Sequence, residues 1–266
     1  MGENGTVLDR ILAQKRVEVD GLRSGTDPAE LRDRALNAPP SRDFLSALNT
    51  LDRVPVIAEI KKASPSAGRL AGDVDVALWA RRYRNGGAAA LSVLTDGPFF
   101  GGCLADLDAA RSASGLPVLR KDFIIDPLQL YESRAAGADA VLLIVAAIGR
   151  AELENLFALT LELNMTPLIE VHQEAEMEAA LALDPPLVGI NSRDLKTLDV
   201  NLETALRLRP LVPPGITVVA ESGVKSPADV ARLRAGGLDA FLVGTTLMRA
   251  RNPESELAGL CRIGEA

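Results

Sequence analysis

From residue 54 onward the chain repeats one pattern: an apolar run of about five residues, a polar loop, a stretch with apolar positions at helical spacing, then a glycine. Three junctions show the repeat directly: Asn85-Gly86-Gly87-Ala88-Ala89-Ala90-Leu91, Ala136-Gly137-Ala138-Asp139-Ala140-Val141 and Gly236-Gly237-Leu238-Asp239-Ala240-Phe241. Each ends a helix on glycine and enters an alanine-led strand. Gly87, Gly137 and Gly237 fall at whole multiples of a unit of about 25 residues. The pattern predicts eight strands, at Val56–Ile60, Ala90–Leu94, Pro117–Lys121, Ala140–Val145, Pro167–Glu170, Leu187–Asn191, Thr217–Glu221 and Ala240–Gly244. Asp126-Pro127 and Ser226-Pro227 each supply a helix N-cap with proline in the first turn.

The first 53 residues follow a different pattern. Residues 6–23 read as a helix, with Val7, Ile11, Ala13, Val17 and Leu22 roughly on one stripe. Asp27 to Pro40 gives a short helical pattern closed by prolines, and Asp43 to Leu48 another turn or two. The expected organisation is one domain over 1–266: a helical extension at 1–53, then a barrel at 54–266. Alternating strands and helices joined by right-handed crossovers make a parallel sheet. Eight units, with no Gly-x-Gly-x-x-Gly after the first strand, favour the closed (βα)8 TIM barrel over an open dinucleotide fold. The fold class is α/β.

Composition narrows the chemistry. The 266 residues are 47% apolar but only 3% aromatic, as suits short buried strands covered by helices. Cys103, Cys261 and His172 match no metal spacing, so neither a disulfide nor a metal site is expected. The N-terminus lacks signal-peptide features, and the longest apolar stretch, Ala140 to Ile148, is far short of the ~20 residues of a membrane span. A cytoplasmic protein with no membrane partner is expected. The net charge of −7 disfavours nucleic acid and leaves an anionic small molecule as partner only where cations gather locally.

They gather where the strands end. In Val56-Ile57-Ala58-Glu59-Ile60-Lys61-Lys62-Ala63-Ser64-Pro65-Ser66, alternation puts Ile57, Glu59 and Lys61 on one face. The same period pairs Leu119 with Lys121, Leu168 with Glu170, Gly189 with Asn191 and Val219 with Glu221, apolar below and polar above. Glu59, Lys61, Lys121, Glu170 and Glu221 come from the first, third, fifth and seventh strands, which in this fold fill one layer at the functional mouth. Stability alone would favour an apolar layer there, so a ring of three carboxylates and two ammonium groups reads as catalytic. Lone His172 is expected to point away from the mouth, in a loop role. Glu221-Ser222-Gly223 and Val243-Gly244-Thr245-Thr246 close the last two strands, where such barrels often bind phosphate.

Taken together these segments resemble the indole-3-glycerol-phosphate synthases over nearly the whole chain. The resemblance rests on Ile57 through Ser66, Leu91-Ser92-Val93-Leu94-Thr95-Asp96 with Phe99-Phe100-Gly101-Gly102, and Leu119-Arg120-Lys121-Asp122-Phe123-Ile124. It continues through Leu168-Ile169-Glu170-Val171-His172, Gly189-Ile190-Asn191-Ser192-Arg193-Asp194-Leu195 and Ala220-Glu221-Ser222-Gly223-Val224. The chain departs from the family's usual residues at Cys103, Ser192 and Thr245.

The resemblance implies closure of the indole ring of 1-(2-carboxyphenylamino)-1-deoxyribulose 5-phosphate, with loss of carbon dioxide and water and without a cofactor. It implies Lys121 as acid and Glu170 as base, with Glu59, Lys61, Asn191, Glu221 and Ser222 completing the catalytic set. Lys61, Lys121 and Arg193 are expected to lower one another's pKa by mutual repulsion. Ser64, Asn191 and Arg193 are candidates to hold the substrate carboxylate and hydroxyls, and Pro65, Phe123, Leu142, Leu195 and Leu198 to wall its ring. Gly223, Gly244 and Thr245 would take the phosphate, and a monomer is expected. Two rivals stay open. Phosphoribosylanthranilate isomerase would need a cysteine–aspartate pair where this chain has Glu59 and Glu170, and a non-catalytic phosphosugar-binding barrel could dispense with the Lys121–Glu170 pair.

Overall fold

In the computed structural model, residues 5–49, 52–65, 68–69 and 74–262 are described; Ser66 of the first-strand motif and residues 1–4 and 50–51 of the expected extension lie outside them. Eight parallel strands close into a barrel in chain order. They are β1 (Val56–Ile60), β2 (Ala90–Leu94), β3 (Val118–Lys121), β4 (Ala140–Ile144), β5 (Thr166–Val171), β6 (Leu187–Asn191), β7 (Thr217–Glu221) and β8 (Ala240–Val243). β1 pairs with both β2 and β8, Ala58 meeting Leu91 on one side and Val243 on the other, so the barrel has no edge. The bounds differ from the sequence reading only at strand ends. β4 stops at Ile144 because Val145–Ala147 tightens into a 3-10 turn, and β5 runs on through Val171.

The proline-marked helices form where expected. Asp126 caps Pro127–Ala135 with Gln129 returning the bond, and Ser226 caps Pro227–Ala235. Alternation then divides the core in two. Val56, Ala58, Ile60, Val141, Leu143, Ile169 and Ile190 face outward against the helices. Ile57, Leu119, Leu168 and Val219 from odd strands, with Ala90, Ala140, Leu187 and Ala240 from even ones, fill the barrel.

The N-terminal extension closes the barrel at both ends. Small alanines at the bottom of β2, β4 and β8 leave room for Phe44 and Leu48 of a short helix (Phe44–Leu48), both buried within the same cluster. The preceding segment is pinned there by Asp139, which accepts from the Arg42 backbone at 2.8 Å, and by Arg134, which donates to the carbonyl of Pro39 at 2.5 Å.

At the opposite end lies helix α1 (Val7–Gly25), started by a reciprocal cap between Thr6 and Asp9. Its Lys15 is buried, with the ammonium 2.8 Å from Asp122 just beyond β3, 3.0 Å from Asp96 just beyond β2, and 2.7 Å from Glu18. Burial would lower this lysine's pKa, but Asp122, Glu18 and Asp96 outweigh it and hold the value above the ordinary lysine range. Asp122 is itself met by Arg120 at 3.0 Å and by the Thr95 hydroxyl at 2.6 Å. Burial alone would raise Asp122, but Arg120 and Lys15 hold it at about 2.

Lys15→Met would leave two buried carboxylates short of a cation, and unfolding in urea at neutral pH should report a loss of about 3–5 kcal/mol. The stability that Asp122 contributes is present above the ordinary carboxylate value of ~3.9 and is lost as pH falls toward about 2; in the variant that loss should begin at higher pH. A change under about 0.5 kcal/mol would show that α1 docks without this cluster.

Candidate active site

The odd strands put their next inward residues, Glu59, Lys121, Glu170 and Glu221, one layer above Ile57, Leu119, Leu168 and Val219. The layer between them comes from the even strands: Ser92, Leu142, Gly189 and Leu242. Lys121 Nζ lies 2.6 Å from Glu221 Oε2 and 3.0 Å from Glu170 Oε2, and Lys61 Nζ lies 2.5 Å from Glu59 Oε1. The expected ring therefore forms. Its carboxylates are buried, while each ammonium keeps 14% of its side-chain surface exposed.

Two glycines make room for it. A methyl group at Gly189 would overlap Glu221 Oε1, and one at Gly244 would overlap Glu59 Oε1 and crowd Lys61 Nζ. Each carboxylate thus leans onto a glycine of the preceding strand around the barrel, β6 for Glu221 and the end of β8 for Glu59. Gly244 has a structural duty here besides the phosphate role expected of it.

Electrostatics correct one expectation. Lys121 is not acidified by neighbouring cations: Lys61 is paired with Glu59, and two carboxylates stand within 3.0 Å of the Lys121 ammonium. Burial would lower Lys121, but Glu170, Glu221 and Glu59 outweigh it and hold the lysine above its usual range. For Glu170, burial is outweighed by Lys121 and His172, and its pKa is lowered. Glu221 goes the other way, raised by burial and by repulsion from Glu170 despite its shorter contact with Lys121.

His172 is the second correction. Because β5 continues through Val171, the two-residue period carries His172 onto the face of Glu170, and its Nε2 stands 3.3 Å from Glu170 Oε1. It points toward the mouth.

Above the ring opens a cavity of about 370 Å³. Glu59, Lys61, Ser64, Pro65, Lys121, Phe123, Leu142, Glu170, Asn191, Arg193, Leu195, Leu198, Ser222, Gly223, Gly244 and Thr245 all line it. Of the expected site residues only Glu221 does not, lying behind the wall against Lys121. Ser64 and Pro65 come from the segment after β1, where Ala63–Ser64 pairs with Gly68–Arg69 and Lys62 anchors to Asp106 at 2.6 Å. Asn191 Oδ1 accepts the Arg193 backbone N–H at 3.0 Å, and an Arg193–Val200 bridge folds the loop that presents Leu195 and Leu198. Ser222 adopts a left-handed φ of 63°, followed by Gly223 at 89°, where a side chain would strike Val200 and Leu202. Thr246 ties the two last loops together by donating to the Val224 carbonyl at 2.7 Å.

Sequence reading missed the roof. Val7, Leu8 and Ile11 of α1 line the cavity, as do Phe100, Lys225 and Thr246. The rings of Phe100 and Phe123 lie 6.2 Å apart, tilted by 35°. The apolar stripe through Val7 and Ile11 was visible, and a helix with such a stripe must cover something.

A closed (βα)8 barrel with buried acid–base groups at its C-terminal mouth, beneath an apolar-walled cavity, is the architecture of a barrel enzyme. Within that class, the chain belongs to the indole-3-glycerol phosphate synthase family, whose model matches residues 8–260. It is 50% identical over 259 residues to the indole-3-glycerol phosphate synthase of Aromatoleum aromaticum, covering 96% of this chain and 98% of that one. The corresponding protein of Bordetella pertussis is 49% identical over 257 residues, with 96% and 98% covered. Among solved structures, 3-hexulose-6-phosphate synthase from Salmonella typhimurium superposes with a TM-score of 0.62 at 12% identity, over 77% of this chain and 96% of that one. Thiamine phosphate pyrophosphorylase from Pyrococcus furiosus gives 0.58 at 17%, over 82% and 96%. These two share the barrel fold.

If Gly189 is glycine to seat Glu221, Gly189→Ala should cost about 1–3 kcal/mol in urea unfolding, most of it absent in a Glu221→Ala background. Costs that simply add across the two substitutions would dissociate Gly189 from Glu221.

Proposed function

We propose that this chain closes the indole ring of 1-(2-carboxyphenylamino)-1-deoxyribulose 5-phosphate, giving indole-3-glycerol phosphate, carbon dioxide and water. The observation that carries the reading is the Lys121 ammonium, 3.0 Å from the Glu170 carboxylate on the wall of the cavity. Its carboxylate neighbours keep Lys121 protonated, so the proton the first step needs is in place. As the aromatic carbon attacks the ketone, the oxygen becomes an alkoxide, basic enough to take that proton from an ammonium. Loss of carbon dioxide restores aromaticity. Dehydration then removes the hydroxyl, protonated as it leaves, and one ring-bound proton, which ionised Glu170 accepts. Lys61, paired with Glu59 at the end of β1, is a second ammonium that lines the cavity.

Substrate contacts follow from the same walls. Ser64, Asn191 and Arg193 would hold the carboxylate and hydroxyls, with Glu221 and Ser222 completing the catalytic set. Pro65, Phe123, Leu142, Leu195 and Leu198 would wall the aromatic ring. The loop amides around Gly223, Gly244 and Thr245 would take the phosphate. The steps are proton transfers and the cleavages they drive, so the reading calls on no cofactor. It takes the protein as a cytoplasmic monomer acting on a small phosphosugar; no helix among the described residues is long and apolar enough to cross a membrane. A cysteine-dependent isomerase fits less well, because Cys103 stands at the start of the helix Leu104–Ser114, Cys261 lies against the Gly87 carbonyl, and neither lines the cavity.

Single-turnover mixing with the carboxyphenylamino-deoxyribulose phosphate, followed by indole fluorescence, tests the reading. Glu170→Gln and Lys121→Met should each slow product formation by ~100-fold or more, with calorimetric affinity for the product little changed. Normal single-turnover rates in Glu170→Gln would remove Glu170 as the base, whatever its melting temperature does.

A further inference from the structure

His172 has no part in the acid–base scheme above, yet the structure builds a site around it. Its side chain is only 12% exposed, and each ring nitrogen faces a carboxylate oxygen. Nδ1 is 3.2 Å from Glu176 Oε2, and Nε2 is 3.3 Å from Glu170 Oε1, an ion-pair contact that is long for a hydrogen bond. Glu176 is fixed in turn. Its Oε2 accepts the His172 backbone N–H at 2.6 Å, its Oε1 accepts from Gln173 at 2.9 Å, and it sits in the first turn of the helix Glu174–Leu181.

A neutral imidazole carries one N–H and one lone pair. Whichever nitrogen held the proton, the other would turn its lone pair on a buried carboxylate. Only the doubly protonated ring is matched on both sides. We propose that His172 is a positioning residue for the reaction: as an imidazolium between Glu176 and Glu170, it clamps one oxygen of the Glu170 carboxylate and leaves the other to Lys121. The proposal rests on the reading of Glu170 as base.

The surrounding charges agree. Burial would lower the imidazole pKa, but Glu170 and Glu176 outweigh it and raise it to about 10. Asp194, in the loop after β6, adds a further negative charge, while Lys121 is the cation on the far side of Glu170. The clamp also accounts for the asymmetry within the ring. Lys121 is closer to Glu221 than to Glu170, at 2.6 against 3.0 Å, yet Glu170 is the carboxylate held ionised, because it alone meets a second cation. Asn191, beside it on the neighbouring strand, adds a hydrogen bond of the same sense.

The chain has a single histidine, so nitrogen-15 labelling of histidine in the full-length protein gives one imidazole to follow by NMR. Both ring nitrogens should be protonated at about pH 8, where an ordinary imidazole of pKa ~6.5 is neutral, and Glu176→Gln should bring the titration down toward that value. His172→Gln should lower kcat by about tenfold or more with KM changed by less than about threefold, and should move the acid limb of the kcat profile to higher pH as Glu170 loses a cation. A neutral imidazole at about pH 8 overturns the proposal, and this result is available even if the His172 variant fails to fold. An unchanged kcat and acid limb in folded His172→Gln overturns it equally; if Glu170→Gln is then still inactive, the base assignment stands without the clamp. Normal turnover in Glu170→Gln removes the base and the clamp's purpose together.

Discussion

The mouth of this barrel depends on one arrangement: the Lys121 ammonium set between Glu170 and Glu221 where water hardly reaches. Removing a charge from water costs several kcal/mol, and attraction offsets that only where the geometry is good and the remaining polar atoms are matched. Three carboxylates within one layer would repel one another without the ammonium groups among them. Lys61 answers Glu59, Lys121 answers the other two, and His172 supplies what Lys121 alone cannot.

Strand closure makes the arrangement possible. The odd strands present their ends at one level, and the even strands between them must not fill the same space. Gly189 and Gly244 meet that demand by having no side chain beside Glu221 and Glu59, and the apolar layers beneath hold the strand ends in register. Larger residues there would force the carboxylates out of the ring. Directly after Glu221 the chain makes a left-handed turn at Ser222 and Gly223, packed against Val200 and Leu202, so one piece of backbone serves both the ring and the cavity wall.

How much of this was legible in the chain follows from the range of each signal. A two-residue period identifies the inward face of a strand locally, which is why Glu59, Lys121, Glu170 and Glu221 could be assigned to one layer before any coordinates. The error over His172 lay in ending the period at Glu170 when the strand runs on through Val171. Other features depend on tertiary contacts that no spacing records. Lys15 lies within an ordinary charged helical pattern, and only docking shows it beside Asp96 and Asp122, residues far away in sequence. The expected acidity of Lys121 failed for the same reason: counting nearby cations from sequence left out how closely Glu170 and Glu221 approach the ammonium.

Strand β3 joins two ionic networks. Lys121 points into the barrel toward Glu170 and Glu221, while its chain neighbours Arg120 and Asp122 belong to a separate network with Thr95, Gln129, Ser133, Glu132 and Lys15 of α1. That second network is closely bonded, with two hydroxyls, a backbone carbonyl and two carboxylates around one guanidinium. It is a rigid anchor rather than a reactive site. Fixing Arg120 and Asp122 on either side of Lys121 limits how far the intervening lysine backbone can shift when the inner ring is disturbed. Through Lys15, the same anchor holds the helix whose Val7, Leu8 and Ile11 roof the cavity. The position of the roof and of the lysine beneath it are therefore set by one shared cluster, and a disturbance at Asp122 should reach both, although its carboxylate pairs with α1 and Arg120 rather than with the ring.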